Sequence, residues 1–463
     1  MSTYPDWSKK RILLLGFGEE GRANLHFAAR CGAAEIAIAD QAQTIKLRAD
    51  ESPLVRRVYS GSEWLTGLFD FDVIMRSPGV PLRYVKEVRA QAPNVLITSG
   101  TELFLERHRD ITIGVTGTKG KSTTSSLICH MLKLANFDAI LGGNIGIPAL
   151  RLLDTPASLY VLELSSYQLA DIHHSPHVAV FLNLYPEHLD HHGDFQAYGE
   201  AKANIARFQH HGDYLVLPSD TPLLEQITKE RQAELRLWGA PASCAWIDND
   251  VYYYRCKKGI AHAVCGISDT LPKGPGNQRN ILAALACLSH LSIPADVLRD
   301  AITTFQPLPH RLETVGVVGG VTYVNDSIST VPEAAINALE TFDGLVSTMI
   351  LGGYDRGVSF DKLADYLLRT TVRTIIVFPP SGARIAQALR QHPLFTNQRL
   401  EIIEVSTMHD AVNNAALRTP QSTVCLLSPA SPSFPLFRNF EERGATFRET
   451  VLKLHTSDFK KNA

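Results

Sequence analysis

Three features that mark other classes of protein are missing from this sequence. It has no apolar run of membrane-spanning length, and its first ten residues, MSTYPDWSKK, lack the apolar core of a secretion signal. Its seven cysteines form no C-x-x-C pair and are odd in number, which argues against a zinc knuckle or a disulfide framework. A formal net charge of −2 gives no bulk attraction for nucleic acid. These absences favour a cytoplasmic protein that binds neither membranes nor nucleic acid.

The sequence alternates short β-branched runs with segments of helical periodicity. A chain of 463 residues is too long for one core, and strands that alternate with helices predict mostly parallel sheets covered on both faces. Three short runs between residues 244 and 264 predict a small antiparallel patch. A new predicted strand and Gly-rich loop begin after residue 103. The Pro-rich segment QPLPHR (306–311) then interrupts the alternation of strands and helices. We therefore predict an α/β fold with three domains, at residues 1–103, 104–308 and 309–463.

The first motif is GFGEEG, in which Gly16, Gly18 and Gly21 follow the apolar run RILLL. The G-x-G-x-x-G pattern predicts a tight turn into a helix whose N-terminus holds a diphosphate. Asp40, which ends the next predicted strand, has the spacing of a ribose contact. The motif fits a nicotinamide dinucleotide as well as a UDP-sugar, so an oxidoreductase is an alternative, as is a turn without ligand.

The second motif is GVTGTKGKSTT (114–124), between a predicted strand and a helix. Gly117 and Gly120 allow backbone N–H groups to converge on phosphate oxygens. Lys121 supplies a charge for the β- and γ-phosphates, and Ser122 or Thr123 offers a hydroxyl to Mg²⁺. The spacing departs from G-x-x-x-x-G-K-[ST], because the first glycine of that pattern would fall on residue 115, which is valine.

Candidate metal ligands follow this loop in the sequence. Glu163 stands at the end of an apolar run, where α/β proteins place ligand chemistry. Histidines crowd residues 173–192, which would permit a zinc site, but we favour a single functional histidine, His188. Lys202 follows on a predicted helix. A lysine beside Mg²⁺ makes sense if it pairs with phosphate or is chemically modified.

Weaker candidates lie further along the chain. Asn277 and Asn280 share one face at the start of a predicted helix and would contact a nucleotide. Arg311, at the predicted domain junction, is placed to reach a γ-phosphate. Asp326 is a candidate for ribose hydroxyls. Each is as compatible with a purely structural role.

Taken together, the motifs resemble the Mur ligase family, the ATP-dependent ligases that build the peptide of bacterial cell-wall precursors. The resemblance spans nearly the whole chain and rests on motifs that occur in order: SPGVP (77–81), ELF (102–104), GVTGTKGKSTT, GGNIGIPAL (142–150), LELSSYQL (162–169), EHLD with AYGEAK (197–202), LPHR (308–311) and NDS (325–327). The segment LSPASPSFPLFRNFEERGATF (427–447) is similar to the branch that adds glutamate.

The resemblance implies a Rossmann-like UDP-binding domain, a central ATP-binding domain and a C-terminal amino-acid-binding domain of Rossmann-like type. Family loops have the core G-T-x-G-K-[ST], which residues 117–122 match. The implied UDP-substrate contacts are Gly16, Phe17, Gly18, Asp40, Ser77, Pro78, Gly79, Asn144 and Ser165. The implied ATP contacts are Gly117, Thr118, Lys119, Gly120, Lys121, Ser122, Thr123, Asn277, Asn280, Arg311 and Asp326.

The resemblance also implies a set of metal and amino-acid contacts. Magnesium, in two ions, would be held by Ser122, Glu163, His188 and a carbamylated Lys202. Of these, Lys202 and His188 would act in catalysis together with Lys121 and Arg311. Glutamate would be held by Thr330, Arg356, Ser433, Phe434 and Phe440. A monomer acting on small molecules is expected.

Several positions depart from the usual family pattern. Lys119 stands where asparagine is common, and Gly276 where a histidine often precedes Asn277. Ile328 and Ser329 replace a Lys-Ala pair, Arg356 stands where lysine is frequent, and SPSF (431–434) replaces C-A-S-[FL]. Most of these changes fall near the expected amino-acid pocket. The majority of the family favours D-glutamate, with L-glutamate as the alternative.

The implied reaction activates the terminal carboxylate of UDP-N-acetylmuramoyl-L-alanine as an acyl phosphate, which the amine of glutamate then attacks. Rival functions are a ligase of the folylpolyglutamate-synthase type, a nicotinamide oxidoreductase and an ATP-dependent switch that catalyses no ligation. The UDP-type first domain and FRNFEERG (437–444) argue against the first rival. The oxidoreductase leaves the Gly117–Ser122 loop and Glu163 without a role.

Overall fold

The computed structural model describes residues 5–145, 147–270, 275–306, 309–342 and 344–457. The chain divides into two compact units, residues 1–306 and 307–463. The predicted boundary between residues 308 and 309 includes Leu308, which lies outside the described residues. Within the described ranges, no helix is both long enough and apolar enough to cross a membrane.

The first sheet of residues 1–306 is parallel, with strand order β3-β2-β1-β4-β5. Its central strands read RILLL and VIMR and are buried along almost their whole length, as expected where helices cover both faces. The strands are β1 (Arg11–Leu15), β2 (Glu35–Asp40), β3 (Arg57–Ser60), β4 (Val73–Arg76) and β5 (Leu96–Thr98). The helices are α1 (Glu19–Arg30), α2 (Arg83–Gln91) and α3 (Gly100–His108).

The second sheet has nine strands in the order β14-β13-β12-β11-β10-β9-β6-β8-β7. Its strands are β6 (Thr112–Thr116), β7 (Ala139–Gly143), β8 (Leu159–Glu163), β9 (Val178–Phe181), β10 (Tyr214–Pro218), β11 (Glu234–Trp238), β12 (Ala245–Asp248), β13 (Val251–Arg255) and β14 (Ala261–Gly266). Its helices are α4 (Lys121–Leu134), α5 (Ala149–Leu152), α6 (Ser166–Leu169), α7 (Leu189–His192), α8 (Phe195–Arg207), α9 (Pro222–Ile227), α10 (Pro275–Leu288) and α11 (Ala295–Thr304).

The pairing pattern confirms the predicted fold class. Strands β6 to β12 pair in parallel, whereas β12, β13 and β14 pair antiparallel, as the sequence predicts for residues 244–264. One apolar cluster packs across the first two sheets, since it contains Leu14 and Phe27 together with Leu150 and Phe181. The first two sheets are therefore joined by shared core as well as by the chain.

The unit of residues 307–463 contains the third sheet, of order β15-β16-β20-β17-β18-β19. Its strands are β15 (Glu313–Val318), β16 (Val321–Asn325), β17 (Val346–Gly352), β18 (Thr374–Phe378), β19 (Glu401–Glu404) and β20 (Val424–Leu427). Its helices are α12 (Pro332–Glu340), α13 (Asp361–Leu368), α14 (Ser381–Gln391), α15 (Met408–Arg418) and α16 (Phe440–Ser457). Strands β15 and β16 form an antiparallel hairpin that the sequence analysis did not predict.

Candidate active site

A cavity of about 760 Å³ opens at the carboxyl ends of the first sheet's strands and extends to the second sheet. Its lining contains every residue predicted to contact the UDP-substrate: Gly16, Phe17, Gly18, Asp40, Ser77, Pro78, Gly79, Asn144 and Ser165. The turns after β1, β2 and β4 meet here because parallel strands end at one edge of their sheet. The residues predicted to contact the UDP-substrate therefore surround a single cavity.

The glycine-rich turn after β1 is held by the predicted ribose contact. One carboxylate oxygen of Asp40 accepts the N–H of Phe17 at 2.7 Å, and the other accepts the N–H of Ala42 at 2.8 Å. Gly18 is the N-cap of α1 and has no side-chain cap. Asp40 therefore fixes the turn, while the start of α1 keeps backbone N–H groups that side chains do not cap.

Glu20, in the first turn of α1, is a cavity residue that the sequence analysis did not single out. Burial raises the pKa of its carboxyl group to about 6, although a hydrogen bond donated by Gln168 at 2.6 Å acts in the opposite direction. Gln168 also forms a capping box with Ser165 at the start of α6. The two walls of the cavity are thus hydrogen-bonded to each other through Glu20 and Gln168.

The phosphate loop connects β6 to α4, as predicted. Gly120 is the N-cap of α4 and has a φ of 85°, a left-handed conformation that favours glycine. A Cβ at this position would lie 2.4 Å from the side-chain oxygen of Asn280. The same oxygen accepts a hydrogen bond from Thr124 at 3.2 Å, and Asn280 donates to Asn277 at 3.3 Å. The structure therefore brings both predicted asparagines of α10 to the phosphate loop.

Asn183, which follows β9 within the histidine-rich segment, holds the other side of this loop. Its side-chain oxygen accepts the N–H groups of Thr118 at 3.0 Å and Lys119 at 2.9 Å, and its amide donates to the carbonyl of Lys119 at 3.0 Å. The hydroxyl of Thr118 lies 3.1 Å from that of Tyr198. The sequence analysis did not identify Asn183, because a single asparagine after a strand carries no spacing signal.

Two lysines converge on one backbone oxygen of the loop. Lys121 donates to the carbonyls of Gly117 at 3.0 Å and Thr118 at 2.9 Å, and Lys202 donates to Gly117 at 2.7 Å. Lys202 is 1% exposed on α8. Burial, with a further contribution from the charge of Lys121, lowers the pKa of Lys202 well below its usual value. These surroundings favour a neutral amine at Lys202.

Glu163, at the end of β8, is fully buried beside the loop. Its carboxylate accepts hydrogen bonds from the hydroxyl of Ser122 and from the amide of Asn144, the latter at 2.7 Å. A carboxylate and a hydroxyl side by side form the hard oxygen set that Mg²⁺ prefers when it also keeps water and phosphate ligands. The residues present therefore fit a magnesium ion at this position.

The histidines of residues 173–192 are dispersed among separate partners. His188 has a φ of 56°, lies 3.6 Å from the carboxylate of Glu187 and packs its ring against Tyr167 and Tyr198. The structure shows other pairs for His174 with Glu102, His177 with Asp213 and His192 with Ser166. Among the described residues, no group of three or more His, Cys, Asp or Glu side chains is arranged to hold a metal ion.

In the unit of residues 307–463, Asp326 follows β16 and is 3% exposed. Its carboxylate accepts hydrogen bonds from the hydroxyls of Ser329 and Ser428, the latter at 2.7 Å, and from the N–H of Leu312 at 3.3 Å. Burial raises the pKa of Asp326 to about 6. Arg311 has a buried Nε for which the described residues supply no hydrogen-bond partner.

The predicted glutamate contacts come from turns after neighbouring parallel strands. The turn after β17 binds the turn after β20, through Gly352 N–H to Pro429 at 2.7 Å and Tyr354 N–H to Pro432 at 2.8 Å. These turns carry exposed Arg356, buried Ser433 and half-exposed Phe434. Thr330 lies in the turn after β16, the strand on the other side of β20. Phe440 begins α16, and its carbonyl accepts from Ser327 at 2.8 Å.

Comparisons with known proteins identify the family of this chain. A family described as "Mur ligase middle domain" matches residues 115–288, and one described as "Mur ligase, glutamate ligase domain" matches residues 310–431. The chain is 36% identical to the UDP-N-acetylmuramoyl-L-alanine–L-glutamate ligase of Micromonospora sp., over 96% of this chain and 97% of the relative. It is 33% identical to the UDP-N-acetylmuramoylalanine–D-glutamate ligase of Symbiobacterium thermophilum, over 96% and 98% respectively.

Solved structures agree on the fold. The MurF ligase of Thermotoga maritima in complex with ADP covers 100% of this chain and 99% of its own, with a TM-score of 0.51 at 18% identity. MurF of Acinetobacter baumannii covers 96% of this chain and 93% of its own, with a TM-score of 0.53 at 16% identity.

The two family matches and the full-length relatives define an ATP-dependent, ADP-forming ligase that joins an acid to an amino acid. The chain belongs to the Mur ligase family, the ligases of peptidoglycan precursor synthesis, and it adds glutamate. This assignment sets aside the nicotinamide oxidoreductase.

Proposed function

We propose that this chain joins L-glutamate to UDP-N-acetylmuramoyl-L-alanine through an acyl phosphate on the terminal carboxylate of that substrate. The observation that carries the proposal is the position of Asn144, which lines the substrate cavity and also donates to Glu163 beside the phosphate loop. A UDP-sugar bound in the cavity would therefore present its carboxylate next to Lys121 and Ser122.

The physical obstacle to this reaction is charge, because a carboxylate must approach the γ-phosphate of ATP. Lys121 would leave the carbonyls of Gly117 and Thr118 to bind phosphate oxygens, and the N–H groups at the start of α4 would face the same anion. In the first step the carboxylate oxygen bonds to the γ-phosphorus while the bond from phosphorus to the bridging oxygen of ADP breaks. Fixed donors around the phosphate would stabilise this transfer.

Magnesium would be held by Ser122 and Glu163, with His188 and modified Lys202 as the further proposed ligands. When bound, the ions neutralise charge on the phosphates and on the transferred group. Ser122 and Glu163 already contact each other, so this pair is preorganised. The unmodified amine of Lys202 instead points at Gly117.

We propose that Lys202 is carbamylated. Its surroundings favour the unprotonated amine, which is the form able to attack the carbon of CO₂. The new N–C bond and the loss of one proton convert a basic group into an anion. A carbamate at this position would add a negative ligand beside the loop.

The remaining assignments complete the proposal. Arg311 and Asp326 join the loop residues and Asn277 and Asn280 as ATP contacts. In the second step the amine of glutamate attacks the acyl carbon and phosphate leaves. The amino acid would be held by Thr330, Arg356, Ser433, Phe434 and Phe440. The three sheets would correspond to domains 1–103, 104–308 and 309–463, for the UDP-substrate, ATP and glutamate respectively.

The choice of L-glutamate rests on two observations. The relatives from Micromonospora and Salinispora tropica, each 36% identical, are named L-glutamate ligases, whereas the D-glutamate ligase of Symbiobacterium is 33% identical. The departures from the common family pattern at Ile328, Arg356 and residues 431–434 also fall on turns near the proposed amino-acid pocket. D-glutamate is the second candidate, favoured by the more numerous D-glutamate ligases among the relatives.

Phosphate release tests this proposal. The enzyme is supplied with UDP-N-acetylmuramoyl-L-alanine, ATP and Mg²⁺, and release is measured with L-glutamate, with D-glutamate and with neither. Release that requires the L isomer is expected, with the dipeptide product identified by mass. Release that requires the D isomer would reverse the stereochemical choice. The absence of phosphate release in both glutamate reactions would contradict the proposed function.

A further inference from the structure

Arg76 is a fully buried arginine directly behind the substrate cavity. It ends β4, and the next residues, 77–81, form the turn that lines the cavity. Arg76 itself is not among the residues of that lining. Burying a guanidinium is costly unless its donors are satisfied, so its partners indicate what it does.

All five N–H donors of Arg76 have acceptors, and these belong to two different walls. On the side of the first sheet, Nη1 donates to the carbonyls of Pro78 at 3.1 Å and Val80 at 2.6 Å. On the side of the second sheet, Nε and Nη2 donate to the two carboxylate oxygens of Asp171 at 2.8 and 2.7 Å, and Nη2 also donates to the carbonyl of Tyr167 at 3.0 Å. One planar group therefore connects both walls.

The connected segments are the ones that form the cavity. Pro78 and Val80 lie in the turn after β4, and Tyr167 lies in α6; all three line the cavity. Asp171 follows α6 and has a side chain that is 1% exposed. A guanidinium of rigid geometry therefore joins the two segments on opposite sides of the cavity.

We propose that Arg76 is a positioning residue that sets the width of the substrate cavity by tying residues 77–81 to α6. This inference rests on the proposed function, because it concerns the binding of the UDP-substrate. Arg76 contacts no substrate; it acts through the backbone of the two segments. Its loss changes affinity for the sugar nucleotide and leaves the phosphate loop at Lys121 in place.

Two variants separate this role from a merely structural one. Arg76→Lys keeps a charge near Asp171 but offers an ammonium in place of the flat five-donor fork. The double variant Arg76→Met with Asp171→Leu removes both charges, which commonly leaves a protein stable, and also removes the donors to Pro78 and Val80. The control is Arg30→Met with Asp154→Leu, an arginine–aspartate pair that also joins the first and second sheets but is exposed.

The experiment measures substrate binding by calorimetry, KM for UDP-N-acetylmuramoyl-L-alanine and for ATP, and the thermal midpoint. We expect both Arg76 variants to raise Kd and KM for the UDP-substrate about tenfold or more, as for a misplacement of about 1 Å, with KM for ATP within about twofold. The control should match the wild type. The inference is overturned if the folded double variant binds the UDP-substrate with the Kd of the wild type. It is also overturned if KM for ATP rises as much as KM for the UDP-substrate.

Failure of the proposed function gives a different result. If the wild-type enzyme itself does not bind UDP-N-acetylmuramoyl-L-alanine, the proposed function is wrong and the inference falls with it. If the wild type binds and Arg76→Lys binds equally well, the proposed function stands and the inference alone is wrong.

Discussion

Arg76 and Lys202 are two buried basic side chains of the same unit with opposite surroundings. Arg76 has a bidentate carboxylate partner, and each of its donors is satisfied. The acceptors of Lys202 are a carbonyl and a hydroxyl, and the second basic group, Lys121, shares that carbonyl. The surroundings of Arg76 stabilise its charge, whereas those of Lys202 oppose charge on the amine. The difference is what we expect if Arg76 positions the cavity walls and Lys202 is modified, as proposed above.

The largest expected effect is on catalysis at Lys202. Lys202→Ala should lower kcat about 10³-fold, because the carbamate that would help hold magnesium beside the transferred phosphate is lost. Added short-chain carboxylic acids should restore part of the activity by occupying the vacated space. Lys133→Ala, which changes an exposed lysine on α4 away from the loop, serves as the control and should stay within about threefold. Full activity of Lys202→Ala in the absence of added carboxylic acids would contradict the proposed role of the carbamate.

The comparison of Arg76 with Lys202 also predicts stability changes of unequal size. Asp171→Asn keeps the shape of the side chain but leaves Arg76 without its counter-charge, which should cost about 3 kcal/mol of unfolding free energy. Lys202→Met should change that free energy by less than about 1 kcal/mol, since it leaves no charge unpaired. Urea denaturation of both variants measures the difference. Equal losses in the two variants would show that the surroundings of Arg76 and Lys202 are not energetically distinct.

A third test concerns Asp326, a buried acid whose carboxylate is hydrogen-bonded by the hydroxyls of Ser329 and Ser428 rather than by a guanidinium. Its pKa of about 6 exceeds the ordinary value of 3.8, so the folded state binds the proton more tightly than the unfolded state. The wild type should therefore gain stability as the pH falls from 7.5 through 6. Asp326→Asn should be more stable than the wild type at pH 7.5 by about 2 kcal/mol, and this difference should shrink towards pH 4. Denaturation curves at these pH values check the sign.

The smallest expected effect is at Asn183. Asn183→Ala releases the N–H groups of Thr118 and Lys119, so the loop loses its shape while Lys121 remains. KM for ATP should rise about tenfold, with KM for the UDP-substrate nearly unchanged. Asn183→Asp retains the acceptor but not the amide donor. Its KM for ATP should lie between those of the wild type and Asn183→Ala. A rise confined to the UDP-substrate would contradict this role for Asn183.

Much of the framework could be predicted from local pattern. The apolar run RILLL (11–15) is observed as strand β1, because buried parallel strands are continuous apolar runs. The hairpin of β15 and β16 was missed, since its edge strand β15 is mostly only half-buried and carries no such run. Motif residues were found for a similar reason: glycine and lysine spacing in a phosphate loop is local.

The residues that sequence reasoning missed share a different property. The partners of Glu20, Arg76 and Asn183 are 148, 95 and about 64 residues away. Arg443 on α16 is similar: it is 1% exposed and donates to Ser327, 116 residues away. No spacing rule relates such pairs, because only the folded chain brings them together. Site residues defined by tertiary contact therefore required the structure.

The apolar cluster shared by the first two sheets limits how the molecule can be taken apart. A chain cut after residue 103 would keep β1 to β5 but would lose the cluster members of the second sheet, such as Leu150 and Phe181, and expose the side chains that they cover. Each such side chain costs about 2 kcal/mol to expose, against a total stability of about 5–15 kcal/mol for a typical domain. The first sheet alone therefore cannot supply the substrate cavity. Residues 5–306 should unfold in one cooperative thermal transition, in which both walls of the cavity are lost together.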